Sequence, residues 1–86
     1  MMERLLGRIL IVEDDPPQRR TISKHLTKQG HVVLGVESAE AALNAIHGFA
    51  PDLVISDVRM AGLSGFELLD RIGEQPDFDV VLIENY

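Results

Sequence analysis

Three consecutive acids, Glu13, Asp14 and Asp15, close an apolar run at Ile9-Leu10-Ile11-Val12, and Asp57 closes a second run at Leu53-Val54-Ile55-Ser56. If the two runs are neighbouring parallel strands, their carboxyl ends gather three or four carboxylates in one crevice, and a hard cation is what neutralises such a group. The pattern predicts a magnesium site beside a reactive aspartate, Asp57.

The elements that must position these acids follow from the alternation of apolar runs and helical stripes. Ile9 to Val12 has the continuous β-branched and leucine character of a strand buried on both faces. Asp15 is placed to cap the next helix, with Pro16 at its first position and Gln18 where a capping box takes Glu or Gln. Ile22 and Leu26 stand one turn apart on that helix, and Gly30 is its expected left-handed stop. His31 to Val36 reads as a second strand. Ser38 caps a helix with Ala42, Leu43 and Ile46 on one stripe, expected to end at Gly48. Leu53 to Ser56 is the third strand. Ser64-Gly65-Phe66-Glu67 is a capping-box sequence that opens a third helix, with Phe66, Leu69 and Ile72 as its expected apolar stripe and Gly73 and Pro76 as its stop. Val80 to Ile83 is the fourth strand. Right-handed crossovers between such units give an α/β fold of the flavodoxin-like, doubly wound type, a parallel sheet with helices on both faces and strand order 2-1-3-4. Glu13, Asp14 and Asp57 then fall at the topological switch point, where ligands bind.

Composition narrows the function further. The 86 residues are 45% hydrophobic and read as a single domain over 1–86, which at this size buries about 60–65% of the surface its unfolded chain exposes. Fourteen acidic against eight basic residues give a formal charge of -6, so there is no basic footprint for nucleic acid or an anionic membrane. Without cysteine, neither a disulfide framework nor a thiolate metal site can form. Met1 to Arg8 is too short an apolar stretch for a signal peptide, and no later segment reaches transmembrane length, so the expectation is a cytoplasmic protein. Asp14-Asp15-Pro16-Pro17 supplies negative charge and few free N–H groups, which argues against a nucleotide phosphate after the first strand. His25, His31 and His47 share no zinc spacing, and His47 near a helix end has a helix-dipole explanation. Asp15 reads as a cap before it reads as a ligand, and Ser38 and Ser64 as caps before nucleophiles.

Ile9-Leu10-Ile11-Val12-Glu13-Asp14-Asp15, Asp57-Val58-Arg59-Met60 and the following Gly65, in this order and with helices between, resemble the receiver domain of two-component response regulators. The resemblance implies that Asp57 is the phosphoacceptor, Asp14 a direct Mg2+ ligand, Glu13 a ligand through water, and the Arg59 backbone carbonyl a further ligand. It implies a histidine kinase or a small phosphodonor as partner, and a domain that at most phosphorylates itself from the donor rather than a turnover enzyme. Ser56-Asp57-Val58-Arg59-Met60 is also similar to receivers that regulate enhancer-dependent transcription. A haloacid-dehalogenase-like phosphatase would want a second acid two residues beyond the nucleophile, where this chain has Arg59.

The departures from that pattern carry expectations of their own. A receiver continues through another helix, a fifth strand and a final helix, so the fold is expected to be incomplete, a partial receiver without a fifth strand or the lysine that ends it. Ile83-Glu84-Asn85-Tyr86 aligns Glu84 where the family has Ser or Thr, with Asn85 as the donor if the register slips by one. A carboxylate about 4 Å from phosphoryl oxygens costs roughly 1 kcal/mol per charge pair in water and about 4 at an effective dielectric near 20. Ala61 replaces a proline common in the family, which is expected to loosen the loop. The fourth strand is expected to leave an unpaired edge through which a homodimer forms. The alternative function is therefore a degenerate, phosphorylation-deficient receiver that acts as a dimerisation or interaction module.

Overall fold

A computed structural model describes residues 6–73 and 77–84. The expectations placed on Met1–Leu5, Pro76, Asn85 and Tyr86 lie outside the described residues. Four strands alternate with three helices: β1 (Arg8–Val12), α1 (Pro16–Lys28), β2 (Val32–Val36), α2 (Ala39–Phe49), β3 (Leu53–Asp57), α3 (Gly65–Ile72) and β4 (Asp79–Ile83). All strand pairs are parallel and the order is β2-β1-β3-β4, as the crossover argument requires.

Register determines which side chains meet. Leu10 pairs with Val54, and Val54 in turn with Val80, so one face of the sheet carries a row of apolar side chains across three strands. On that face Leu10, Val12, Val54 and Leu68 are buried with Val36, Ala39 and Ala42, and Ile46, Phe49, Ile72 and Phe78 pack around them. Each fully buried Leu or Val contributes about 1.5–3 kcal/mol relative to exposure. The alternating residues Ile9 and Ile11 are also buried but stand outside that cluster, on the face where α1 packs on β1 and β2. Val81 of β4 remains 45% exposed, so the two faces are unequally covered among the described residues.

The caps form as the residue types demand. Gln18 N–H donates to Asp15 Oδ2 at 3.1 Å, and Ala41 N–H to Ser38 Oγ at 3.0 Å. Ser64 and Glu67 make a reciprocal capping box. Gly30 has φ 102, the positive value that glycine alone adopts without cost.

Helices α2 and α3 depart from the expected pattern. Gly48 lies inside α2, and the left-handed residue is Ala50, with φ 52 and ψ 66. One more helical residue brings Phe49 onto the core, where the Arg8 guanidinium stacks 4.4 Å from its ring centroid and Arg8 Nε donates to its carbonyl at 2.8 Å. Those contacts offset the roughly 1–2 kcal/mol of a left-handed alanine. In α3 Gly65 and Leu68 are buried and Ile72 is half-buried against the core as expected, while Phe66 is 61% and Leu69 39% exposed. The cause lies in the approach of Gly65 to the end of β3.

Candidate functional site

The chemistry-bearing residues sit where β1 and β3 end side by side. Glu13 continues the β1 ladder by donating its N–H to Val36 O at 3.0 Å, which turns its side chain into the molecule at 2% exposure. Asp14, one residue on, is exposed. Asp57 is the last residue of β3 and 6% exposed. One carboxylate oxygen from each of Glu13, Asp14 and Asp57 lies within 4.8 Å of the other two. The three residues singled out in the sequence are thus brought together.

Hydrogen bonds hold each acid at a definite angle. Asp15 N–H donates to Glu13 Oε2 at 3.2 Å, Ala61 N–H to Asp14 Oδ2 at 3.1 Å, and Arg59 N–H to Asp57 Oδ1 at 3.2 Å. The Ala61 bond runs against the expectation of a looser loop, because it ties the loop after Asp57 to the end of β1 with a donor that proline lacks. Val58 N–H donates to Ile83 O at 2.8 Å, and Gly65 N–H to Val58 O at 2.9 Å, so β4 and α3 both anchor that loop. A Cβ on Gly65 would stand 2.5 Å from the Asp57 carbonyl oxygen and 3.1 Å from Val58 Cα. Only glycine permits α3 to start this close to β3.

Electrostatics favour a cation. Three ionised carboxylates at this separation repel by about 3 kcal/mol per pair at an effective dielectric near 20. The Glu13 pKa is raised, first by burial and then by the negative charges of Asp57 and Asp14, with the Asp15 N–H opposing the shift. The donor set is oxygen from carboxylates, with no histidine in the group. Those ligands suit a hard divalent ion such as Mg2+, which needs only one or two carboxylates and retains several waters.

The remaining singled-out residues are placed as follows. Asp15 is spent on capping α1. Arg59 exposes its side chain. Glu84 is exposed at the end of β4 and is not a member of the acid group. His31 accepts the Gly7 N–H through Nδ1 at 3.1 Å, a structural use at the opposite end of the sheet. Sequence reasoning missed Ser56, buried and donating to the Asp57 carbonyl at 3.0 Å, and Arg19, whose Nη1 donates to the Glu13 carbonyl at 2.7 Å. A glycine inside the β-branched run of β2, Gly35, was the available signal that a neighbour approaches there.

The sequence pattern of the response regulator receiver domain matches residues 9–85. The chain belongs to the response regulator receiver family. It is 41% identical over 83 residues to the response regulator protein FleR of Pseudomonas aeruginosa, covering 95% of this chain and 18% of that protein. It is 35% identical over 75 residues to the transcriptional regulatory protein AfsQ1 of Streptomyces coelicolor, covering 87% of this chain and 33% of that protein. The chain therefore spans a third or less of these two relatives. Among solved structures it is similar to the response regulator TrrA of Thermotoga maritima in complex with Mg2+-BeF, with 34% identity, a TM-score of 0.84, and coverage of 92% of this chain and 70% of that one. It also matches a receiver domain from Methanoculleus marisnigri with 32% identity, a TM-score of 0.82, and coverage of 88% and 64%. These neighbours share the flavodoxin-like parallel sheet.

Proposed function

We propose that this chain is the phosphoacceptor module of a two-component system, taking a phosphoryl group onto Asp57 with the help of Mg2+. The observation that carries the reading is the convergence of Glu13, Asp14 and Asp57 at the ends of adjacent strands, in a chain of the receiver family. Receiver domains take their phosphoryl group from histidine kinases, and a histidine kinase or a small phosphodonor is the proposed partner here.

Each residue has a defined task in that reading. Arg59 N–H holds Asp57 Oδ1, and among the described residues no hydrogen bond is made to Oδ2, which is the oxygen proposed to attack phosphorus. The new bond joins Oδ2 to phosphorus as the bond from phosphorus to the donor's nitrogen or oxygen breaks, and the donor leaves with that electron pair. Asp14 and Asp57 would hold the ion directly, the Arg59 carbonyl would add a ligand, and Glu13 would hold it through water. When bound, Mg2+ offsets the negative charge of the carboxylates and of the incoming phosphoryl oxygens. Asp14 is the most accessible of the three acids and is steered toward Asp57 by Ala61.

The proposed setting is a cytoplasmic regulator of transcription. No helix among the described residues is long and apolar enough to cross a membrane, and relatives such as AfsQ1 are transcriptional regulators. The acidic balance of -6 supports signalling through a protein surface rather than direct DNA binding by this segment.

A second reading, a phosphorylation-deficient receiver that works by pairing with another copy, is favoured by two observations. Glu84 stands at the end of β4 where the resemblance places a hydroxyl, and among the described residues β4 is the edge strand of the sheet, with Val81 45% exposed. Intact mass after incubation with acetyl phosphate and Mg2+ separates the readings. The expected result is a metal-dependent gain of one phosphoryl group that Asp57→Asn abolishes. No gain in a folded protein that binds Mg2+ would overturn the phosphoacceptor reading and leave the interaction module.

A further inference from the structure

Both backbone groups of Glu13 are occupied. Its N–H is tied to β2 through Val36 O, and its carbonyl receives Arg19 Nη1 at 2.7 Å, the short length of a charge-assisted bond. Arg19 belongs to the first turn and a half of α1, where its own N–H donates to Asp15 O at 2.9 Å. To reach Glu13 its stem lies over Gly35 of β2, where an added Cβ would stand 3.0 Å from Arg19 Cγ, 3.3 Å from Cδ and 3.1 Å from Ser23 Oγ. The absence of a side chain at Gly35 is what makes room for Arg19.

The Glu13 carbonyl belongs to the peptide plane that leads into Asp14. Fixing that plane fixes the direction in which Asp14 leaves β1, and with it the line from Asp14 to Ala61 and Asp57. We propose that Arg19, seated over Gly35, is a positioning residue that sets the Glu13–Asp14 peptide and so preorganises the carboxylates for a divalent cation. It touches neither cation nor substrate. The cation half of this inference rests on the proposed function; the ordering of the turn does not.

The sign of the effect distinguishes positioning from charge. A guanidinium near a cation site repels the cation, so loss of charge alone would tighten Mg2+ binding. Loss of positioning weakens it, and removing a partner that orients a metal ligand lowers affinity by about 10- to 100-fold. Lysine at position 19 keeps the charge but not the planar fork, so it restores the bond in part. Gly35→Ala keeps Arg19 and its charge but pushes the stem aside.

The test uses the full chain and two measurements on wild type, Arg19→Ala, Arg19→Lys, Gly35→Ala and the Arg19→Ala/Gly35→Ala pair. Amide hydrogen exchange of the metal-free proteins is followed at Asp15 and Ala61, whose N–H groups bond Glu13 and Asp14. Mg2+ affinity is measured by calorimetry. Arg19→Ala and Gly35→Ala should each speed exchange at those two amides about tenfold, leave the Val54 amide unchanged and weaken Mg2+ about tenfold. Arg19→Lys should fall between, and the double variant should be no worse than Arg19→Ala because the two changes remove one interaction. Unchanged exchange at Asp15 and Ala61 in folded Arg19→Ala overturns the proposal, as does faster exchange with Mg2+ affinity equal to or tighter than wild type. If wild type itself fails to bind Mg2+ while exchange responds as expected, the metal reading falls and the ordering of the turn by Arg19 stands.

Discussion

Replacing Gly65 with alanine should damage this protein, whereas the same replacement at Gly48 should help it. A Cβ on Gly65 meets the Asp57 carbonyl oxygen at 2.5 Å, Val58 Cα at 3.1 Å and Asp57 C at 3.2 Å. All three are backbone atoms at the end of a buried strand, so no side chain can swing away. Restoring ordinary contact needs α3 to retreat by roughly 1 Å. That retreat loosens the Gly65 N–H bond to Val58 O and the packing of Leu68, which is fully buried. Overpacking of this kind costs about 1–3 kcal/mol, and the entropy recovered on replacing glycine returns about 0.5–1. The expected net loss centres on about 1 kcal/mol, or roughly 4–8 °C in Tm for a domain of this size. At Gly48 an added Cβ meets nothing within 4 Å in the last turn of α2, so Gly48→Ala should gain about 0.5 kcal/mol. Urea and thermal unfolding of both variants, with Mg2+ absent, read the two signs directly. Equal stability of Gly65→Ala and wild type, with Gly48→Ala stabilised, would refute the close approach as the reason for glycine at position 65.

Three further outcomes follow from the same geometry. Leu68→Ala should cost about 2–5 kcal/mol in urea unfolding, while Phe66→Ser, at a side chain 61% exposed, should stay within about 1 kcal/mol of wild type. In the metal-free protein Glu13 holds its proton more tightly when folded than when unfolded, because its pKa is raised from the usual 4.5. Its contribution to stability is therefore fully present below that unfolded value and is lost as pH rises through the raised folded value. Glu13→Gln should flatten that part of the pH profile and be the more stable protein above it, and a wild-type profile that rises across the interval would contradict the assignment. If two copies pair through the β4 edge, sedimentation should show mass increasing with concentration, and Val81→Lys should keep the protein monomeric by charging that edge.

The strand ends were legible because one pattern carries both position and chemistry. A continuous apolar run followed by acids marks a buried parallel strand and, at its carboxyl end, the crevice that the sheet order creates. Caps were legible for a similar reason, since Ser64 and Glu67 satisfy each other's backbone donors whatever the rest of the fold does. What the sequence concealed was rotation. Phe66, Leu69 and Ile72 share a stripe as regularly as Gly65, Leu68 and Ile72 do, and hydrophobicity favours the former. Helical periodicity alone leaves a choice between faces that are neighbours on a short helix.

The choice in α3 is made at its first residue, and it is made by the site. Gly65 must face the Asp57–Val58 backbone to donate to Val58 O, so the residues three and seven positions on, Leu68 and Ile72, inherit the inward face. Phe66 is turned outward in consequence. Gly35 works in the same sense on the other side of the sheet, by admitting the Arg19 stem that reaches the Glu13 carbonyl. At both places the informative residue is the one with no side chain, because the acid pocket is set by how closely two backbones and one guanidinium approach the ends of β1 and β3. Hydrophobic patterns record which side chains are buried, and they carry no record of a backbone brought near another. For that reason the acids could be found from their spacing, whereas Arg19, Ser56 and the Ala61 N–H, which aim them, became visible only in the folded chain.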